Sequence, residues 1–112
     1  MRRWGIFLST AVLFCLASSV VKAQDKTENN GDALFQKYCV MCHGATGKGD
    51  TPTGKALKAA DFHDPQVMKM SEVDLATIIS KGKKMMPAFG NRISTTDIDN
   101  LISYIRTLQK TQ

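Results

Sequence analysis

The five residues Cys39-Val40-Met41-Cys42-His43 constrain this chain more than any other feature of it. The 112 residues allow one domain at most. A domain of this size buries only about 60–65% of its unfolded surface, so an apolar core alone is marginal. Small exported domains usually add disulfides or a bound metal. The one other cysteine, Cys15, lies in an N-terminal apolar run, so any staple in the folded part must use Cys39 and Cys42. A C-x-x-C pair has three ordinary uses: a redox dithiol, half of a zinc site, or an attachment point for haem.

The N-terminal segment reads as a leader. Arg2 and Arg3 give a positive start, and Ile6 to Leu16 is an apolar run. Val21-Lys22-Ala23 then places small residues where a signal peptidase cuts, before Gln24. The uncharged window Trp4 to Val21 is 18 residues, only marginally long enough for an uncleaved membrane anchor, which is the minority alternative. Cys15 is then a discarded apolar residue. The expected organisation is a signal peptide over 1–23, a polar tail over 24–30 and one domain over 31–110, with a periplasmic destination. Removing Arg2, Arg3 and Lys22 leaves twelve of the 15 basic residues against all ten acidic ones, so the net charge of +5 falls to +2. That balance is too small and too evenly spread to argue for nucleic-acid binding, and no basic stripe interleaves with aromatics, so no nucleic-acid partner is expected.

Asp32 to Cys42 has helical spacing, with Leu34, Phe35, Tyr38, Cys39 and Cys42 on one side and Gly44 to break it. From Gly44 to about Met70 four glycines and two prolines predict mostly loop, with one short helix over 54–60. A loop this long in a small domain usually wraps something functional. Ser71 with Asp74, and Ser94 with Asp97, have the spacing of helix N-caps. Val73, Leu75, Ile78 and Ile79 form the first stripe after a cap; Ile98, Leu101, Ile102, Ile105 and Leu108 form the second. No run alternates as a strand would, so the class is all-α.

The dithiol reading wants the cysteines at a helix start, where the dipole lowers a thiol pKa, and in a βαβ setting. Here they fall at a helix end with no strands. Zinc wants four converging ligands, and Cys42 and His43 are adjacent; His63 could join them, but at no usual spacing. Haem attachment accounts for each residue. Positions three apart lie on one helix face, so both thiols can form thioethers to one porphyrin, and His43 follows as an axial nitrogen ligand. The sixth ligand would come from a methionine. Met86 stands out because Pro87 follows it and biases it toward extended backbone, suited to presentation from a loop; Met85 is the fallback.

"GDALFQKYCVMCHG", "MMPAFG" and "ISTTDIDNLISYI" together resemble a class I monohaem cytochrome c, especially the short bacterial and cytochrome c6-like members. The likeness spans residues 31–108. It implies a small cytochrome c fold of three to four helices wrapped around one covalently bound haem c. It also implies Met86 as the distal iron ligand and a proline carbonyl, at Pro52, accepting a hydrogen bond from His43. Thr51 stands where many members have glycine. Gly31, Phe35 and Tyr104 match the place where the first and last helices cross, a structural role.

His63 is expected on a polar loop, outside the site. Lys81, Lys83 and Lys84, and further off Lys48, Lys55 and Lys58, are either a solvated face or a positive ring that steers an acidic redox partner. The expected function is one-electron transfer between Fe(III) and Fe(II) with His43 and Met86 as axial ligands, in a monomer that is no enzyme and, after cleavage, touches no membrane. The alternatives are an electron-accepting subunit of a larger oxidoreductase, or a peroxidase or gas sensor with a labile Met86.

Overall fold

Two serines start the two longest helices. The Ser94 hydroxyl accepts from the Asp97 backbone N–H at 3.1 Å, while the Asp97 carboxylate reaches back to the Ser94 N–H; Ser71 and Asp74 repeat this arrangement. Each pair satisfies two backbone donors that a helix start would otherwise leave bare. In the computed structural model, which describes residues 30–111, six helices follow in order. They are α1 (Gly31–Tyr38), α2 (Val40–His43), α3 (Pro52–Leu57), α4 (Pro65–Met68), α5 (Glu72–Lys81) and α6 (Thr95–Leu108). The only β pairing among the described residues is an isolated bridge between Lys83 and Met86. The chain is all-α, as its pattern predicts. The signal segment and residues 24–29 of the polar tail lie outside the described residues.

More helices form than the three to four expected, because short turns are counted separately. The helix expected over 32–42 breaks at Cys39 (φ −118°, ψ −34°) into α1 and α2. The hydrogen bonding still runs through the break: Cys39 N–H donates to Phe35 O and His43 N–H to Cys39 O, both at 2.9 Å. The helix expected over 54–60 forms earlier, at Pro52, with Thr51 as its cap. The single turn α4 arises from Asp64 capping the Gln66 N–H ahead of Pro65.

Helix α1 crosses α6 beside a buried Gly31, and the Phe35 and Tyr104 rings meet there at 5.3 Å. Phe35 and Leu101 are the most deeply buried side chains. Asn30 closes the crossing by donating to Asp97 at 3.1 Å and accepting from Asn100 at 2.9 Å. These contacts, with Ser94, hold the Asp97 carboxyl below its usual pKa, the Asn30 bond first. Helix α5 packs its Leu75 and Ile79 on α6. The segment after α5 folds back on it, the Phe89 and Gly90 N–H groups donating to the carbonyls of Ile79 and Ser80. Ser94→Ala removes a cap and is expected to cost about 1 kcal/mol. In a domain this small that lowers Tm by about 4–8 °C, measurable by circular dichroism of the holoprotein.

Candidate functional site

Helix α2 is one turn long, and the segment behind it holds its carbonyls. The Thr51 hydroxyl donates to Met41 O at 2.7 Å, with Cys42 O at 3.2 Å, and accepts from the Gly54 N–H at 2.8 Å. The Gly49 N–H donates to His43 O at 2.8 Å. Gly44, at φ +75°, turns the chain away from the helix end, a conformation other residues adopt only with strain. With the backbone held on one side, Cys39, Cys42 and His43 all line a cavity of about 680 Å³. Its walls include Tyr38, Phe62, Leu75, Ile79 and Phe89. The volume is that of an ordinary cofactor pocket.

His43 is only 9% exposed. Its Nδ1 lies 3.1 Å from Ala60 O, and the Phe62 ring stacks on it at 4.6 Å. Burial lowers the His43 pKa, and the Ala60 bond partly opposes that. A carbonyl can only accept, so Nδ1 carries the proton and Nε2 the lone pair. Nε2 has no hydrogen bond, yet no buried side-chain nitrogen or oxygen among the described residues lacks a partner. Nε2 is therefore open to the cavity, as a metal-binding nitrogen must be.

Cys39 behaves otherwise than the nucleophile of a redox dithiol would. Burial, with Cys42 beside it, pushes the Cys39 pKa up to about 11, so at neutral pH it is a protonated thiol and a poor disulfide-exchange nucleophile. A zinc site has no support either. Among the described residues no group of three or more His, Cys, Asp or Glu side chains is placed to hold a metal. The His63 ring is engaged elsewhere, 2.9 Å from Asp61 Oδ1 and 3.1 Å from Leu108 O. Asp61, chiefly, raises its pKa. His63 is thus more tightly built in than a polar loop residue, and it stays out of the cavity.

Met86 comes to the same cavity from the second loop. Lys83 and Met86 exchange backbone hydrogen bonds at 3.1 and 3.0 Å around a turn in which Lys84 is left-handed (φ 54°). Met86 is half-buried against the core, while Met85, also on the cavity wall, is 65% exposed. Exposed Lys58, Lys83 and Lys84 line the cavity; Lys48, Lys55 and Lys81 do not.

Pro52 is the correction. It is exposed, off the cavity wall and at the first position of α3, where a carbonyl points along its own helix. The acceptor for His43 is Ala60 O. The sequence carries no signal for this, because any residue supplies a carbonyl. Phe62 was likewise missed as the ring against His43.

The donor set fits a flat apolar macrocycle, joined through the two cysteine sulfurs and offered one imidazole nitrogen, with a thioether within the same walls. The fold and site define a c-type haem protein. Residues 26–105 match the family described as "Cytochrome C oxidase, cbb3-type, subunit III". The chain is 32% identical to cytochrome c6 of Alaria esculenta over 79 residues, 70% of this chain and 88% of that one. It is 31% identical to cytochrome c6 of Porphyra purpurea over 106 residues, 94% and 93% of the two chains. Among solved structures it is similar to the c-type cytochrome KustC0563 (TM-score 0.65, 27% identity, 70% of this chain and 96% of that one). The chain belongs to this cytochrome c family, as a class I monohaem member. It is an electron carrier, and its cofactor is haem c with its iron.

Proposed function

We propose that this chain is an exported one-electron carrier whose iron is held by His43 and Met86 and whose transfer is outer-sphere, through an exposed haem edge. The observation that carries the reading is that an open imidazole nitrogen and a half-buried thioether line one apolar cavity. Cys39 and Cys42 would form the thioethers, fixing the group without the protein having to close around it. When bound, haem c supplies reversible one-electron chemistry between Fe(III) and Fe(II). The protein's own work is positional. Ala60 O and Phe62 set the His43 ring, and the hydrogen bond to Nδ1 makes Nε2 a stronger donor. The Lys83–Met86 turn presents the Met86 sulfur, a soft ligand that favours the reduced state. Apolar walls keep water away and push in the same direction. No side chain is asked to move a proton, so this is a carrier and not an enzyme.

Partners would approach where the cavity meets solvent. Lys58, Lys83 and Lys84 stand there with Met41 and Met85, which are 70% and 65% exposed. Positive charge around an apolar contact speeds encounter with an acidic redox partner without making the complex long-lived. Lys81, at the end of α5, extends the same charge run. The leader over 1–23 would carry the chain across a membrane to the periplasm, where a monomer is released by cleavage. No helix among the described residues is long and apolar enough to cross a membrane. The matching family, described as an oxidase subunit, favours a second reading, a dedicated cytochrome subunit of a larger oxidoreductase. A stable co-purifying partner would support it.

Intact mass of the exported product tests attachment and cleavage together. The expected mass is that of residues 24–112 plus one haem. The bare chain would overturn the haem assignment, and a retained leader would favour the anchored form.

A further inference from the structure

The far end of α6 reaches the segment that carries both contacts of the His43 ring. Ala60 provides the carbonyl for Nδ1 and Phe62 the stacking ring, two residues apart. The Phe62 carbonyl accepts a buried hydrogen bond from Gln109 Nε2 at 2.9 Å. Gln109 is itself only 7% exposed. Its amide faces one way for a chemical reason. Arg106 Nη1, which can only donate, lies 2.9 Å from Gln109 Oε1, so the oxygen faces Arg106 and the NH2 faces Phe62. Arg106 also donates to the carbonyls of Met68, at 3.3 Å, and Met70, at 2.5 Å. His63 adds a second tie to the same helix end through Leu108 O.

Buried polar networks of this kind hold one arrangement when every member has a partner. This one does, since no buried side-chain nitrogen or oxygen among the described residues is left unpaired. Arg106 and Gln109 both lie beyond residues 26–105, the part that matches the family.

We propose that Gln109 is a positioning residue for the iron's histidine ligand. By holding the Phe62 carbonyl, with Arg106 fixing which way its amide faces, it sets how the Phe62 ring lies on His43 and how closely Nδ1 approaches Ala60 O. This rests on His43 being an iron ligand. A looser Ala60–His63 segment lengthens the Nδ1 hydrogen bond, weakens Nε2 as a donor, and so stabilises Fe(III) less.

The test uses the holoprotein with Gln109→Glu and Gln109→Met, and Lys110→Ala as an exposed neighbouring control. Gln109→Glu keeps an acceptor for Arg106 but puts a carboxylate oxygen where the donor to Phe62 was; Gln109→Met removes both at similar size and adds no charge. Exchange of the His43 Nδ1 proton in the reduced protein should accelerate about tenfold in both variants, the loss expected for one buried hydrogen bond. The reduction potential should move upward in Gln109→Met, which adds no charge, and Lys110→Ala should change neither. If Gln109→Met does not fold, proton exchange in Gln109→Glu decides alone, because that variant keeps the Arg106 link. A lowered Tm with unmoved proton exchange and potential would overturn the proposal and leave Gln109 as packing. If oxidised wild-type protein shows no iron-induced shift of the His43 resonances, the ligand reading fails and this inference with it. Normal wild-type shifts with unmoved variants overturn this inference alone.

Discussion

Met86→Ala is expected to lower the reduction potential by ~0.2 V, about a quarter of the ~0.8 V span that axial ligands command. The reduced variant should also bind carbon monoxide rapidly, which the parent protein should not. A thioether favours Fe(II), and its loss leaves a weaker oxygen donor or an open position. The fold should survive, because Met86 sits on a turn closed by two backbone hydrogen bonds with Lys83. Neither bond needs its side chain. Cys39 and Cys42 are untouched, so covalent attachment should persist. Met85→Ala is the control: at 65% exposed it should leave the potential nearly unmoved. A large shift from Met85→Ala and none from Met86→Ala would reassign the ligand. Rapid carbon monoxide binding by the unaltered protein would favour the gas-sensor or peroxidase reading instead.

What could be read from the sequence is what local chemistry decides. Ser71 with Asp74 and Ser94 with Asp97 act within three residues, so their spacing alone places the starts of α5 and α6. The apolar stripes of α1 and α6 gave their buried faces, while the crossing at Phe35 and Tyr104 was what the family resemblance implied. The motif from Cys39 to His43 left three chemistries open, and its place at a helix end, with no strands and no converging fourth ligand, narrowed them to haem. The misses are contacts made by backbone or across long separations. Ala60 meets His43 through a carbonyl, a group every residue owns, so the Pro52 carbonyl that the family resemblance implied is not the acceptor. Gln109 reaches Phe62 across 47 residues, and nothing near Gln109 hints at it. The break at Cys39 escaped for a related reason: its neighbours favour a continuing helix, and the chain departs from one only at that residue's own backbone angles.

Gly54→Ala should destabilise the holoprotein by about 2–4 kcal/mol, although helix propensity by itself predicts a gain. Gly54 lies inside α3, where alanine is worth about 1 kcal/mol more than glycine. Its Cβ, however, would collide with the carbonyl oxygen of Cys42 and stand 2.7 Å from that of Gly49. Backbone oxygens cannot rotate away as a side chain can, so α3 must move off α2. That movement strains the Thr51 hydrogen bonds to Met41 O, Cys42 O and the Gly54 N–H, each worth about 1 kcal/mol. Overpacking adds about 1–3 kcal/mol, and together these exceed the propensity gain. The expected fall in Tm is about 8–30 °C, from about 4–8 °C per kcal/mol. Thr51→Val separates the two causes, since it removes the hydroxyl without adding a Cβ and should cost less. Because the displaced carbonyl belongs to Cys42, the damage passes directly to Cys42 and His43. The fraction of chains carrying haem should therefore fall in Gly54→Ala, as read by intact mass. A raised Tm with full haem loading would mean that α3 can slide off α2 freely, and that the turn from Val40 to His43 is not braced from behind.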